Sequence, residues 1–131
     1  MPTHKNAYAH YSNNRINTAS KEELTLMLYD GALKFLNQAI TSLEARDLAK
    51  SSELMIRVQE IIREFQLTLN RDIEISKNFD AMYDYMHRRL IEANMAKDKE
   101  ILMEVRDLTR DFRDMWKQAM KSAREQATVA T

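Results

Sequence analysis

One glycine, Gly31, and one proline, Pro2, punctuate the whole of a 131-residue chain. Sheets need closely spaced turns, and turns draw on residues that accept positive φ or fix φ near −65°, chiefly Gly and Pro. A chain almost empty of both cannot supply the many connections of a sandwich or barrel, but it suits long helices joined at a few points. The expectation is an all-α fold. With 44% apolar residues a continuous core can form. Four helices of roughly 20 residues each, antiparallel because their connections are short, then account for most of the length.

Composition narrows the function classes. There is no cysteine, which removes disulfides and thiolate metal sites. Twenty basic residues balance twenty acidic ones, so nothing favours a polyanion, and no nucleic-acid partner is expected. No signal-peptide pattern opens the chain, and apolar runs such as Leu24 to Tyr29 are broken by charge far short of the roughly 20 residues a membrane span needs. A soluble, cytoplasmic protein without membrane insertion is expected.

Residues 1–19 are rich in Asn, Thr and Ser and carry Tyr8, Tyr11 and Ile16 as isolated apolar anchors, which reads as a loosely docked tail or lid. The bundle is expected over 20–125, followed by a disordered tail over 126–131. Helix one opens at Ser20, where Glu23 completes a capping box, and Leu24, Leu28, Ala32, Phe35, Ala39 and Leu43 follow at helical spacing. Leu26, Leu33, Leu36 and Ile40 widen that face enough to touch two neighbours. Gly31 inside it costs about 1 kcal/mol relative to Ala, which implies a close backbone approach.

Helix two is expected from Arg46-Asp47 to about Leu69, with Met55, Val58, Ile61, Ile62 and Phe65 inward and Ile56 and Leu67 falling outside that line. Helix three starts near Ser76 or Asn78, presents Phe79, Met82, Tyr83, Met86, Leu90 and Ala93, and stops near Asn94. Asp98 caps helix four, which runs to about Arg124 with Ile101, Val105, Leu108, Phe112, Met115, Trp116 and Ala119 spaced for a core.

Catalysis finds little support. A di-iron bundle needs paired Glu-x-x-His motifs; the nearest match, Asp84 to His87, occurs once, while His4 and His10 lie in the tail. His87 beside Arg88 and Arg89 also suits phosphotransfer, although the same residues describe a solvated helix face. With no Cys and no Gly-rich loop, no enzyme and no metal or other cofactor are expected. The remaining signal is apolar. Nine methionines suit both core filling and adaptable binding surfaces. Met82, Met86 and Met115 are assigned to the core, while Met27 and Met55 lie where the apolar face spills toward the surface. Tyr8 and Tyr11, three residues apart, put both rings on one side of a helical turn, where they can cover a groove that would otherwise invite aggregation.

Longer segments carry a resemblance. Thr18-Ala19-Ser20 followed by Glu22 to Phe35; Leu69-Asn70, Asp72 and Ile75 to Asn78; Ala81 to Met86, Arg88 to Leu90 and Glu92 to Asn94; and Asp114 to Lys117 together resemble the flagellar secretion chaperones of the FliS family. The likeness spans about Tyr8 to Lys117. Lys21 stands where that family usually has proline at the first helical position, a change the cap tolerates. The resemblance implies an antiparallel four-helix bundle with no catalytic activity that binds the disordered carboxy-terminal segment of flagellin, prevents its premature polymerisation and supports type III export. It implies Tyr8, Tyr11 and Ile16 as a lid or client-contacting tail, with Leu24, Met27, Leu28, Tyr29, Ile56, Gln59, Ile75 and Asn78 as groove residues. A cochaperone, an anti-sigma factor or an export apparatus component are further partners it allows. The alternative is a regulatory helical-bundle adaptor for another flagellar component.

Overall fold

A computed structural model describes residues 20–72 and 76–130. Among them are four helices and no strand: α1 (Lys21–Glu44), α2 (Leu48–Thr68), α3 (Ser76–Ala96) and α4 (Lys99–Ala130). Local chemistry sets their starts. The Ser20 hydroxyl accepts from the Glu23 amide at 3.1 Å, and the Asp47 carboxylate accepts from the Lys50 amide at 3.2 Å. Asp98 Oδ1 takes the amides of Glu100 and Ile101 at 2.9 and 3.3 Å. Each bond satisfies a donor that has no intrahelical partner.

Two of the stops are built without glycine. Arg46 (φ 62°) and Lys97 (φ 51°) occupy the left-handed region just past α1 and α3. Around Arg46 its own amide donates to the Leu43 carbonyl and the Asp47 amide to the Ser42 carbonyl, at 3.0 and 2.8 Å. The Asp98 amide likewise reaches the Ala93 carbonyl at 3.0 Å. These are Schellman closures, which turn the chain back within a few residues and make successive helices antiparallel neighbours.

Each helix packs on two others in the cyclic order α1, α2, α3, α4, so that α1 faces α3 across the core. Cross-links in reversed order show the direction. Lys99, Arg113 and Trp116 of α4 reach Glu44, Asp30 and Glu22 of α1 in turn. The core holds Leu36, Ala39, Met55, Val58, Ile62, Met86, Leu90, Leu102 and Val105, all nearly inaccessible. At about 25 cal/mol per Å² of apolar area removed from water, these side chains are the main term favouring the bundle. Half-buried Gly31 lies next to Asp30, whose carboxylate meets Arg113 of α4 at 3.5 Å.

Three expected details differ. Met55 is fully buried rather than spilling outward, because α2 packs against both α1 and α3. Met115 is 52% exposed and Ala119 is exposed, although both have core spacing. Counting back from the Tyr85–Glu104 hydrogen bond at equal rise per residue, α3 begins level with about position 113 of α4, so beyond that point α4 loses a neighbour. Finally, α4 continues past Arg124 to Ala130, and α3 past Asn94 to Ala96. The last residues of α4 contain neither Gly nor Pro to end a helix.

Candidate functional site

At the end of the bundle where α1 and α3 begin, the core becomes aromatic. Tyr29 stacks on Phe65 at 4.3 Å between ring centroids, Phe65 on Tyr83 at 5.4 Å, and Phe112 meets Phe79 and Tyr83 at 5.6 and 6.0 Å. The hydroxyls of Tyr29 and Tyr83 share a buried hydrogen bond of 2.5 Å. Burial, with the neighbouring hydroxyl, pushes the Tyr29 phenol far above its ordinary range, and burial also raises Tyr83, so both stay neutral. Around this cluster Leu24, Leu28, Leu69, Phe79 and Trp116 are only half-buried, which leaves an apolar rim. The Trp116 indole donates to the Glu22 carbonyl at 3.0 Å and ties α4 to the first turn of α1.

A second apolar strip lies along α2 and α3. Arg63 of α2 meets Asp84 of α3 at 3.4 Å. Ile56 precedes Arg63 by two turns and Ile91 follows Asp84 by two turns, so the antiparallel register sets the two isoleucines level on the same outer edge. Ile56 is 42% and Ile91 39% exposed, and Met95, one turn beyond Ile91, is 82% exposed. Leu48, also exposed, extends the strip toward the start of α2.

The other end of that edge is polar. Arg63 donates to Gln66 Oε1 at 2.6 Å and to His87 Nδ1 at 3.4 Å, while the Gln66 amide nitrogen donates to Asp84 and Asp80 at 2.9 and 3.1 Å. Arg71 closes the network on Asp80 at 3.0 Å. The Arg71 hydrogen bond holds the Asp80 carboxyl below its usual range. Burial, followed by the Arg63 charge, lowers His87. An imidazole whose Nδ1 accepts from an arginine is a strut between α2 and α3. Among the described residues no three His, Asp or Glu side chains converge to hold a metal ion, and no helix is long and apolar enough to cross a membrane.

The expected site residues fall in different places. Leu24, Met27 and Leu28 are half-buried on the first turns of α1, Gln59 is half-buried, and Ile56 and Asn78 are exposed. Tyr29 differs from the expected groove position: it is 1% exposed, a core residue under the rim. Tyr8, Tyr11, Ile16 and Ile75 lie outside the described residues. Ile91, Met95 and Leu48 were not among the expected residues. For Ile91 and Met95 the signal was their four-residue spacing off the inward line of α3, the same signal that singles out Ile56.

The sequence model of the flagellar protein FliS matches residues 4–123. The chain belongs to the FliS family. Among relatives, it is 49% identical to the flagellar secretion chaperone FliS of Bacillus subtilis, covering 92% of this chain and 91% of that one. It is 34% identical to the Salmonella typhimurium FliS, covering 89% and 90%. A bacterial flagellar chaperone crystal structure superposes with a TM-score of 0.73 at 19% identity, covering 92% of this chain and 99% of that one, which supports the bundle architecture. FliS proteins are secretion chaperones, not enzymes, and the partner of such a chaperone is a flagellar export substrate. Two apolar surfaces remain accessible on the described part of the bundle, the aromatic rim and the α2–α3 strip.

Proposed function

We propose that the chain is a cytoplasmic export chaperone that binds the disordered carboxy-terminal segment of flagellin, keeps it from polymerising before export and delivers it to flagellar type III secretion. The observation that carries this reading is the exposed, level pair Ile56 and Ile91, continued by Met95, along the α2–α3 edge of the bundle. A stripe of apolar side chains along the edge of two helices fits an amphipathic helix laid lengthwise, with anchors three, four and seven residues apart. Ordering a disordered client costs several kcal/mol, so the complex gains from several modest contacts along a long path. The rim at Leu24, Met27 and Leu28 supplies further anchors, with Gln59 and Asn78 as polar contacts. In this reading Tyr8, Tyr11, Ile16 and Ile75 complete the surface.

The test is calorimetric titration of the full chain with a flagellin carboxy-terminal segment. A saturable complex is expected, and Ile56→Asp combined with Ile91→Asp weakens it at least about tenfold, because each charge would be buried without a partner. Both side chains are partly exposed, so the fold is retained and the loss reads on binding. Unchanged affinity in the double variant, or no complex at micromolar protein, overturns the assignment.

A further inference from the structure

Sulfur in this chain is all thioether, with nine methionines and no cysteine. A thioether is a soft two-electron nucleophile, so a peroxide that reaches the protein oxidises sulfur at methionine, and exposure decides which one reacts first. The described methionines span nearly the whole range of exposure. Met55 and Met86 are sealed in the core, Met27, Met82, Met103 and Met120 are half-buried, Met115 is 52% exposed and Met95 is 82% exposed.

The place of Met95 gives its exposure a consequence. It stands one turn after Ile91 on α3 and continues the strip that Ile91 forms with Ile56 and Leu48 of α2. Leu48, Ile56 and Ile91 carry hydrocarbon side chains, which peroxide leaves alone, so Met95 is the oxidisable member of the strip among the described residues. The end of α3 does not rest on its side chain. The Asp98 amide closes on the Ala93 carbonyl at 3.0 Å, and the Lys97 amine donates to Asn94 Oδ1 at 2.5 Å. Met95 can therefore change its polarity while the bundle stays intact.

We infer that Met95 is a reversible oxidation site whose state sets how strongly the α2–α3 strip holds an apolar client. The sulfur lone pair attacks one oxygen of hydrogen peroxide, and an S–O bond forms as the O–O bond breaks. The departing hydroxide takes the proton left on the transferred oxygen and becomes water, so sulfur loses two electrons and the peroxide gains them. Reversal needs a dithiol, which supplies two electrons, becomes a disulfide and releases the oxygen as water. The chain has no cysteine, so that dithiol belongs to a separate methionine sulfoxide reductase. The sulfoxide is a strong acceptor in a position that an apolar client face would cover, and burying it unpaired opposes binding. Ile56 and Ile91 remain, so affinity falls without vanishing. The effect on binding rests on the strip being the client surface; the choice of Met95 as the first sulfur oxidised does not.

The experiment treats the full chain with graded hydrogen peroxide, maps the added oxygens by peptide mass spectrometry and titrates each sample with the flagellin carboxy-terminal segment. Met95 is expected to gain its oxygen first, Met115 next, and Met55 and Met86 last. Affinity is expected to fall by about three- to tenfold as Met95 sulfoxide accumulates, with the melting temperature unchanged. The two methionine sulfoxide reductases, one for each sulfoxide epimer, restore it together. Met95→Leu, compared with itself before and after peroxide, is expected to show no such fall, whereas Met115→Leu keeps it. Met95 oxidised no faster than Met86, an equal fall in Met95→Leu, or full affinity with Met95 oxidised overturns the inference. If the untreated chain does not bind the segment, the flagellin reading fails by itself, and the strip is read with the apolar dye bis-ANS instead. Dye fluorescence is then expected to drop on peroxide treatment of the wild-type chain and not of Met95→Leu, and an equal response of the two overturns the inference.

Discussion

Tyr29 and Tyr83 share one hydrogen bond in a site with no exposure to speak of, and that arrangement predicts a non-additive response to mutation. Removing one hydroxyl leaves the other buried and unpaired, so Tyr29→Phe or Tyr83→Phe each costs about 1–3 kcal/mol. The double Phe variant loses both polar groups at once and returns most of that stability, which urea unfolding of the four chains in a mutant cycle measures. His87 gives a second expectation at this scale. Its folded pKa lies below its ordinary 6.5, so the unfolded chain takes up a proton that the folded one resists. Stability therefore falls as pH drops through about 6.5 and is unaffected above it. Asp80 and Glu104, lowered from 3.8 and 4.5, lose their contributions only in more acid solution, so the interval between pH 6.5 and 4.5 isolates the histidine. His87→Gln, which keeps an acceptor for Arg63, is expected to flatten thermal stability against pH across that interval. An equal slope in both proteins counts against the assignment.

Helices and their caps were legible because both are local. Ser20 with Glu23, Asp47 and Asp98 sit where side-chain oxygens meet unpaired amides, and no distant residue is needed to place them. Exposure was less legible, because periodicity shows which side of a helix is apolar but not where its neighbour ends. Met115 has core spacing and half its surface in water for that reason, and Ile91 needed the register of α2 before it could be set beside Ile56. Tyr29 was misplaced for the converse reason: a tyrosine on the broad apolar face of α1 is core or groove floor according to what covers it. The element ends also carry a prediction. Arg46 and Lys97 hold positive φ, which costs a residue bearing a Cβ roughly 1–2 kcal/mol, part of which glycine gives back through the freedom of its unfolded chain. Arg46→Gly and Lys97→Gly are each expected to raise stability by about 0.5–1 kcal/mol. A lower melting temperature in both would mean that the two side chains contribute more than the backbone loses.

At the scale of the whole molecule, equal totals of acid and base conceal a lengthwise arrangement: ion pairs tie α4 to α1 at two levels, Lys99 with Glu44 and Arg113 with Asp30. At the end of the bundle where α1 starts, Leu24, Leu28 and Trp116 form a half-buried rim. If residues before Thr18 cover that rim, a chain beginning at Thr18 is expected to bind the flagellin segment more tightly or to self-associate, which titration and sedimentation read. A sharp fall in affinity without self-association would make those residues part of the binding surface instead. The identity of the client was legible only through resemblance, since no spacing of apolar residues names the protein that will lie on them.

Trp116 is the single tryptophan of the chain, and its indole nitrogen is bonded to a backbone carbonyl in the first turn of α1. The molecule therefore contains its own optical label, set at the seam between α4 and the first turn of α1. Its emission wavelength follows the hydration of one bond, so opening or closing of that seam can be timed in unlabelled protein.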